Sequence, residues 1–471
     1  MLGLVSGWWT PRGPVTTPEA LATIGLGLLV GGFTGRVMRS RWAMLLAPVR
    51  AGTSGPLVDG IHLGSTLGVL AFVLGRGLHG ILVLLPMLLG VALGAADSRR
   101  RDGSTPVRHG WAGAFRWARV GGTVLVALAV VALAAGISRP ASTDPITDPG
   151  GEAIDGSIAE LSTVDVDGHE LSLMFRGSSM ANPVLLHLAG GPGGSDVGAM
   201  RLHGGALEDA FTVLTLDQRG AGKSYPALDP TSTLTADAAV QDVITVTNHL
   251  RDRFGQDKIY LLGNSWGTLV GVLAAQQHPE LFRAFVGAGQ VVSIRETDQI
   301  FYADALAWAR STGRTGLAET LTANGPPPYS DVRDYEPVTL NEGEVNAYDH
   351  SHAEGVGGFS ESIFVREYSL LEQLHLGAAA LDVLVAMCPG LQDIDFRVDV
   401  PRLQVPVYLV QGRYEARGRA ELAEQWFAAL SAPSKQLVVL ATSGHRPLFE
   451  QPEQFVTVMT ETVLAQTRPG D

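Results

Sequence analysis

The chain has 471 residues, too many for one ordinary domain, and its charge is divided along its length: residues 1–140 carry 13 Lys and Arg against 4 Asp and Glu, while the remainder carries 21 against 43. That split marks two regions with different surroundings. The single cysteine, Cys388, excludes an intrachain disulfide and a cysteine-based metal site.

The basic region holds four uncharged, mostly apolar runs, at 20–35, 60–75, 77–96 and 120–138. The last two are 20 and 19 residues long, matching the roughly 20 residues that a helix needs to cross a bilayer; the first two, at 16 each, need flanking arginines such as Arg36 or Arg76 to reach the interface. A stretch at 42–49 is apolar but too short to span. About four transmembrane helices are therefore predicted over 1–139, with no cleavable signal peptide pattern ahead of them. Arg36, Arg39, Arg41 and Arg50 lie between the first and second runs. Arg99, Arg100, Arg101, Arg108, Arg116 and Arg119 lie between the third and fourth. Both connections should be cytoplasmic by the positive-inside rule, with a short external turn around Arg76. The fourth helix then leads outward, and everything after about Pro140 is expected to be extracytoplasmic.

A polar, Pro- and Gly-rich linker follows over 140–158. Residues 161–166 and 171–175, joined at Asp167-Gly168, read as a hairpin. Short apolar runs at 184–188, 211–216, 259–262, 282–286, 407–410 and 437–440 read as buried strands, and 237–254 has helical spacing. Strands alternating with helices predict an α/β fold with a mostly parallel sheet covered on both faces. Over 293–400 the pattern changes to helical stretches, among them 303–309 and 364–376, broken at 325–328 and 354–358. This segment is expected to form a helical cap inserted into a core made of 159–292 and 401–471.

The chemistry-bearing stretch is Gly263-Asn264-Ser265-Trp266-Gly267, a GxSxG turn between a strand and a helix. Such a turn holds its central residue in a strained conformation at the top of the sheet, and the helix behind it offers the backbone N–H of Trp266 to a developing oxyanion. A strand followed by a glycine turn with a bystander serine reads the same way locally. Three further stretches favour the nucleophile. Ala189-Gly190-Gly191-Pro192-Gly193-Gly194 follows a strand where a second oxyanion donor is needed, and Gly191 is the candidate. Glu415 and His445 each lie just beyond a strand, so all these groups fall at C-terminal strand ends of one sheet. The order Ser265, Glu415, His445 is that of an α/β-hydrolase triad.

On these residues the chain resembles the α/β-hydrolase superfamily and, within it, the proline iminopeptidase family of serine aminopeptidases, from about residue 160 to 460. The family's HGGPG stands here as Ala189 to Gly193, its DQRGxGxS as Asp217 to Ser224, and its GxSWG as Gly263 to Gly267. Ala189 replaces the family's His. Glu415 replaces its usual Asp, and Asp393, Asp395 and Asp399 are alternative acids. The resemblance implies recognition of the substrate's free amine by a cap carboxylate, for which Glu296 is the similar position.

The triad reading makes Ser265 the nucleophile, His445 the base and Glu415 its partner, in a membrane-anchored aminopeptidase that acts on small peptides. A carboxylesterase or lipase on the same scaffold is the alternative, and a non-enzymatic receptor is a third reading. His187, His350 and His352 have no spaced partners that would make a metal site, and no metal or organic cofactor is implied. The turn Gly220 to Ser224 suggests a phosphate loop, but the motif requires glycine where Asp217 stands, so no nucleotide is expected. The expected partners are a peptide or ester substrate and the lipid bilayer, not nucleic acid.

Overall fold

The computed structural model describes residues 15–39, 66–101, 110–346, 361 and 363–468. The chain divides into two compact units, one of 1–141 with 369–378 and the other of 142–368 with 379–471.

The first unit is helical: α1 (Thr17–Met38), α2 (Thr66–Arg101) and α3 (Gly110–Ser138). Thr16 caps α1, its backbone N–H donating to Glu19, and Pro18 sits in the first turn. Four helices among the described residues are long and apolar enough to cross a membrane: Thr17–Met38, Gly80–Arg101, Trp117–Ser138 and Leu370–Leu391. The predicted run 60–75 lies partly outside the described residues. From Thr66 onward it is continuous with the third run, so the expected external turn around Arg76 is not formed and Arg76 lies inside α2. Arg76 alone separates the two runs, and one residue is too few to reverse a chain between helices.

α1 and the second half of α2 run parallel and lie backbone to backbone. A Cβ added to Gly31 would fall 2.2 Å from the Met87 carbonyl oxygen, one on Gly35 2.4 Å from that of Val91, and one on Gly94 2.1 Å from that of Gly32. Small residues four apart on both helices permit that approach. At the end of the contact Arg36 pairs with Asp97 at 2.6 Å, and Ser98 donates to the Arg36 carbonyl. Val130 and Ile137 of α3 share a buried cluster with Val15, Ala20 and Ile24 at the start of α1, and with Leu371. Meanwhile Leu125, Leu128 and Val131 stay 62–68% exposed on the outside.

The second unit is built on one eight-stranded sheet in the order β1-β2-β4-β3-β5-β6-β7-β8. Its strands are β1 (Ile158–Val166), β2 (His169–Gly177), β3 (Val184–Leu188), β4 (Thr212–Leu216), β5 (Ile259–Asn264), β6 (Phe282–Ala288), β7 (Val407–Gly412) and β8 (Lys435–Leu440). β1 and β2 form the predicted hairpin, with Asp167 and Gly168 both at positive φ in its turn. From β4 to β8 every neighbouring pair is parallel. Every residue of β3, β4 and β5 is buried, as strands covered on both faces require.

α4 (Ala236–Phe254) starts at Thr235, whose side chain accepts the Ala238 N–H, and ends at Gly255 in the left-handed region. α5 (Trp266–Gln277) follows the GxSxG turn directly. The cap segment supplies α6 (Ile294–Ser311) and α7 (Thr315–Asn324), then a one-turn helix, Glu342–Val345. The helix expected at 364–376 instead spans α8 (Leu370–Met387): Pro389 lies beyond its end, and the apolar sequence carries it well past Leu376. Residues 369–378 fall in the first unit rather than with the rest of the predicted cap. α9 (Arg417–Ala429) lies between β7 and β8. The stretch 354–358, with His350 and His352, lies outside the described residues.

The glycine contact generates a test of the bundle. Gly31→Leu should destabilise it by about 1–3 kcal/mol through overpacking, whereas Gly25→Leu, at a position with nothing within 4 Å, should be neutral. Unfolding of both variants in detergent micelles reads the difference, and equal behaviour would show that the close approach does not form.

Candidate active site

Parallel pairing of β3 with β5, and of β7 with β8, brings Gly191, Ser265, Trp266, Glu415 and His445 to the C-terminal ends of the strands, whereas Glu296 lies in α6. β5 ends at Asn264 and α5 begins at Trp266, leaving only Ser265 to make the turn. Its backbone sits at φ 51, ψ −118, a conformation that non-glycine residues adopt only under constraint. The turn closes tightly: a Cβ on Gly263 would fall 2.5 Å from the Gly267 carbonyl oxygen, and one on Gly267 2.2 Å from that of Leu188.

Ser265 Oγ lies 2.9 Å from His445 Nε2, and His445 Nδ1 lies 2.6 Å from Glu415 Oε2. With Nδ1–H donated to Glu415, the neutral ring presents a lone pair at Nε2 to the serine hydroxyl. Gly289, at φ 60 just after β6, lets the His445 loop close in, because a Cβ there would fall 2.5 Å from the His445 carbonyl oxygen. The side chain of Glu415 is 1% exposed. Its burial favours the neutral acid, but the facing His445 and Arg419 outweigh that and hold the carboxyl at about 2. The alternative acids are engaged elsewhere: Asp393 pairs with Arg295, Asp395 with Arg397, and Asp399 accepts the Asp395 N–H.

The glycine loop after β3 lies against the serine. A Cβ on Gly190 would be 3.4 Å from Ser265 Cβ, and Gly191 has φ 147. Ala189, where the family has His, offers no side-chain anchor, and the loop is held by other groups. Gln218 Nε2 donates to the Ala189 carbonyl at 3.0 Å, and Gln218 Oε1 accepts from the Trp266 indole at 3.1 Å.

Asp196, which the sequence reading did not single out, accepts hydrogen bonds from His187 Nε2 at 3.1 Å, the Gly190 N–H at 3.3 Å, Asn264 Nδ2 at 3.4 Å and Arg446 at 2.5 Å. One buried carboxylate thus ties together the glycine loop, the residue before the serine and the residue after the histidine. Burial pushes against its ionisation, yet Arg446 and His187 bring it down to about 2. The sequence signal was its place two residues beyond the glycine run. His187, which lies in β3, is its buried partner.

The turn Gly220 to Ser224 is spent on its own motif. Asp217 accepts the Lys223 N–H at 2.8 Å, and Ser224 Oγ donates to the Asp217 carbonyl at 2.7 Å. Burial raises the Asp217 carboxyl to about 6 against donors that include Ser195, Lys223 and Tyr368.

Glu296 pairs with Arg397, which also holds Asp395. Asp298, two residues further along α6, is a cap carboxyl that burial perturbs, upward to about 7. No group of three or more metal-ligating side chains occurs among the described residues.

Comparison with known proteins agrees with this architecture. Residues 183–315 match the family described as alpha/beta hydrolase fold. A probable aminopeptidase of Bacillus subtilis (strain 168) is 28% identical over 309 residues, 64% of this chain and 96% of its relative. A probable proline iminopeptidase of Leptolyngbya boryana is 24% identical over 288 residues, covering 59% and 85%. Among solved structures, a proline iminopeptidase of Mycobacterium smegmatis aligns over 65% of this chain and 98% of its own at 21% identity, with a TM-score of 0.48. The chain carries an α/β-hydrolase-fold domain. Within that class it resembles the proline iminopeptidases.

The strained serine can be tested directly. Ser265→Gly should be more stable than Ser265→Ala by about 1 kcal/mol, because both remove the hydroxyl but only glycine relieves the positive φ. Equal thermal midpoints would mean that the turn carries no strain.

Proposed function

We propose that this protein is a membrane-anchored serine hydrolase, an aminopeptidase of proline iminopeptidase type. The observation that carries the reading is the unbroken chain Ser265–His445–Glu415 beside the glycine loop. Ser265 Oγ attacks the carbonyl of the N-terminal residue as His445 takes its proton. The N–H groups of Gly191 and Trp266 stabilise the oxyanion, and the imidazolium of His445 then protonates the leaving amine. Glu415 keeps the ring in the tautomer this requires and stabilises its cationic form. Water completes the cycle by the same route, releasing the acyl group. The aminopeptidase names of the relatives support the peptide substrate. Amine recognition is supported less at Glu296, which Arg397 already neutralises, than at Asp298, whose carboxyl has no such salt bridge among the described residues.

A fluorophosphonate probe should label the wild type and not Ser265→Ala, and Glu415→Gln should cut kcat by about 10²-fold or more with little change in KM. A paired panel of aminoacyl arylamides and p-nitrophenyl esters reads the substrate class. Turnover of esters alone would replace the peptidase reading with the esterase one.

We further propose that the N-terminal helices lie in the bilayer and that the hydrolase domain faces away from the cytoplasm. Support comes from the parallel α1–α2 pair, which brings Arg36 beside Asp97 and the run Arg99 to Arg101 at one end, and from the apolar side chains on the outside of the bundle. A reporter active only in the cytoplasm should be silent when fused after Asp471, and an active fusion would reverse the topology.

A further inference from the structure

The loop after β3 has four glycines in the five residues 190–194, and glycine backbone loses more freedom on ordering than any other. With alanine at 189, no side chain at its first residue anchors it. A loop that must present the Gly191 N–H beside Ser265 therefore has to be fixed from outside.

Asp196 stands where it can do this. It occupies the N-cap position of the short helix Val197–His203, where an aspartate ordinarily accepts a helix N–H. Its side chain makes no such bond. Ser195 Oγ accepts the Val197 N–H instead, at 3.2 Å, and the Asp196 carboxylate, 5% exposed, turns inward. Its Oδ2 accepts from His187 in β3, from Asn264 at the end of β5 and from the Gly190 N–H, while its Oδ1 accepts from Arg446. The first two donors belong to buried strands and hold the carboxylate in place. Gly190 and Arg446 belong to loops and are held by it.

The two loops depend on it unequally. Around His445, Glu450 also accepts the N–H groups of Gly444 and Arg446, so that loop has a second tether. In the glycine loop, a Cβ on Gly194 would fall 2.5 Å from the Gly190 carbonyl oxygen, which is thus turned toward Gly194. The Gly190–Gly191 peptide is trans and planar, so the Gly191 N–H is turned the opposite way. With the Gly190 N–H fixed by Asp196, both peptide planes flanking Gly190 are set.

We propose that Asp196 is a positioning residue for the oxyanion site: from a post fixed on β3 and β5 it holds the Gly190 N–H, and so keeps the Gly191 N–H where the developing oxyanion forms. This rests on the reading of Ser265 as the nucleophile and Gly191 as a donor.

The test uses the full chain in detergent and the time course of labelling by a fluorophosphonate, in which Ser265 displaces fluoride from phosphorus while the phosphoryl oxygen lies in the oxyanion site. The amplitude counts folded molecules, and the rate constant reads the site within each of them. Asp196→Asn keeps the size but places an NH2 among converging donors, and the rate constant should fall about 10²-fold, the scale of one oxyanion donor. The phosphonothioate analogue of the probe presents sulfur, a weak hydrogen-bond acceptor, and should lose no more than about 10-fold against its own wild-type rate. Glu208→Gln is the control. It breaks an ion pair with Arg176 that is similarly buried, with side chains 5% and 9% exposed, beside the N-terminal end of β4. The thermal midpoint should drop and the rate constant should not.

An Asp196→Asn rate constant equal to that of the wild type overturns the proposal. Equal losses with both probes overturn it too, since the fault then lies at the base and not at the donors. So does an equal loss in Glu208→Gln, which would make the rate a measure of stability alone. Should Asp196→Asn fail to fold, the double variant Asp196→Ala with Arg446→Met removes the unpaired guanidinium along with the carboxylate and decides by the same comparison. A wild type that the probe does not label removes the Ser265 reading and this proposal with it, whereas a labelled wild type and an unaffected variant remove this proposal alone.

Discussion

The site depends on one backbone constraint: the chain must leave β5 and enter α5 within a single residue. Ser265 takes the strained φ, and the main chain on both sides packs so closely that a Cβ on Gly263 or Gly267 would meet a carbonyl oxygen. Because β5 is central, its end is flanked by the ends of β3 and β6, and the loops that follow those strands inherit positions beside the serine. The glycine loop reaches Ser265 from one side, and Gly289 admits His445 from the other. Strain at one residue is tolerated because buried strands and two flanking loops determine its surroundings.

Electrostatics fix what the backbone brings together. Two buried carboxylates lie on either side of His445 along the chain of contacts, Glu415 bonded to its ring and Asp196 to the next residue, Arg446. Each is held at about 2 by an arginine and an imidazole. Removing either arginine would leave a buried charge poorly compensated, which costs far more than the pair contributes beyond an apolar replacement. Asp217 shows the contrast: its direct partners are hydroxyl and amide donors, and its carboxyl is raised to about 6. The network therefore distinguishes carboxylates that must stay charged beside the serine from one that serves as a packed anchor in the Gly220 to Ser224 turn.

The N-terminal unit follows a different rule. Its helices have little polar surface to satisfy, and α1 and α2 associate by bringing backbones together along glycines four residues apart, which gains dispersion contacts that bulkier residues would forbid. Arg36, Asp97 and Ser98 then fix the register at one end. Large apolar side chains, Leu125, Leu128 and Val131 among them, stay on the outside of these helices.

Much of this was legible in the sequence because it is local. The strands, the hairpin turn at Asp167-Gly168 and the GxSxG turn each follow from residues within a few positions of one another, and the order Ser265, Glu415, His445 follows from which strand each one ends. Arg419 was within reach too, four residues beyond Glu415 at the start of a helix. Other features belong to the tertiary structure alone. Asp196 gathers Gly190, Asn264 and Arg446 across as many as 250 residues, and its place two residues beyond the glycine run does not reveal that it will be buried beside them. Glu296 and Asp298 are two residues apart on one helix, and only the placement of Arg397 decides that one is neutralised while the other is left to desolvation. The turn expected at Arg76 failed for a local reason instead: a single residue between two apolar runs is too short to reverse the chain, so the helix continues through it.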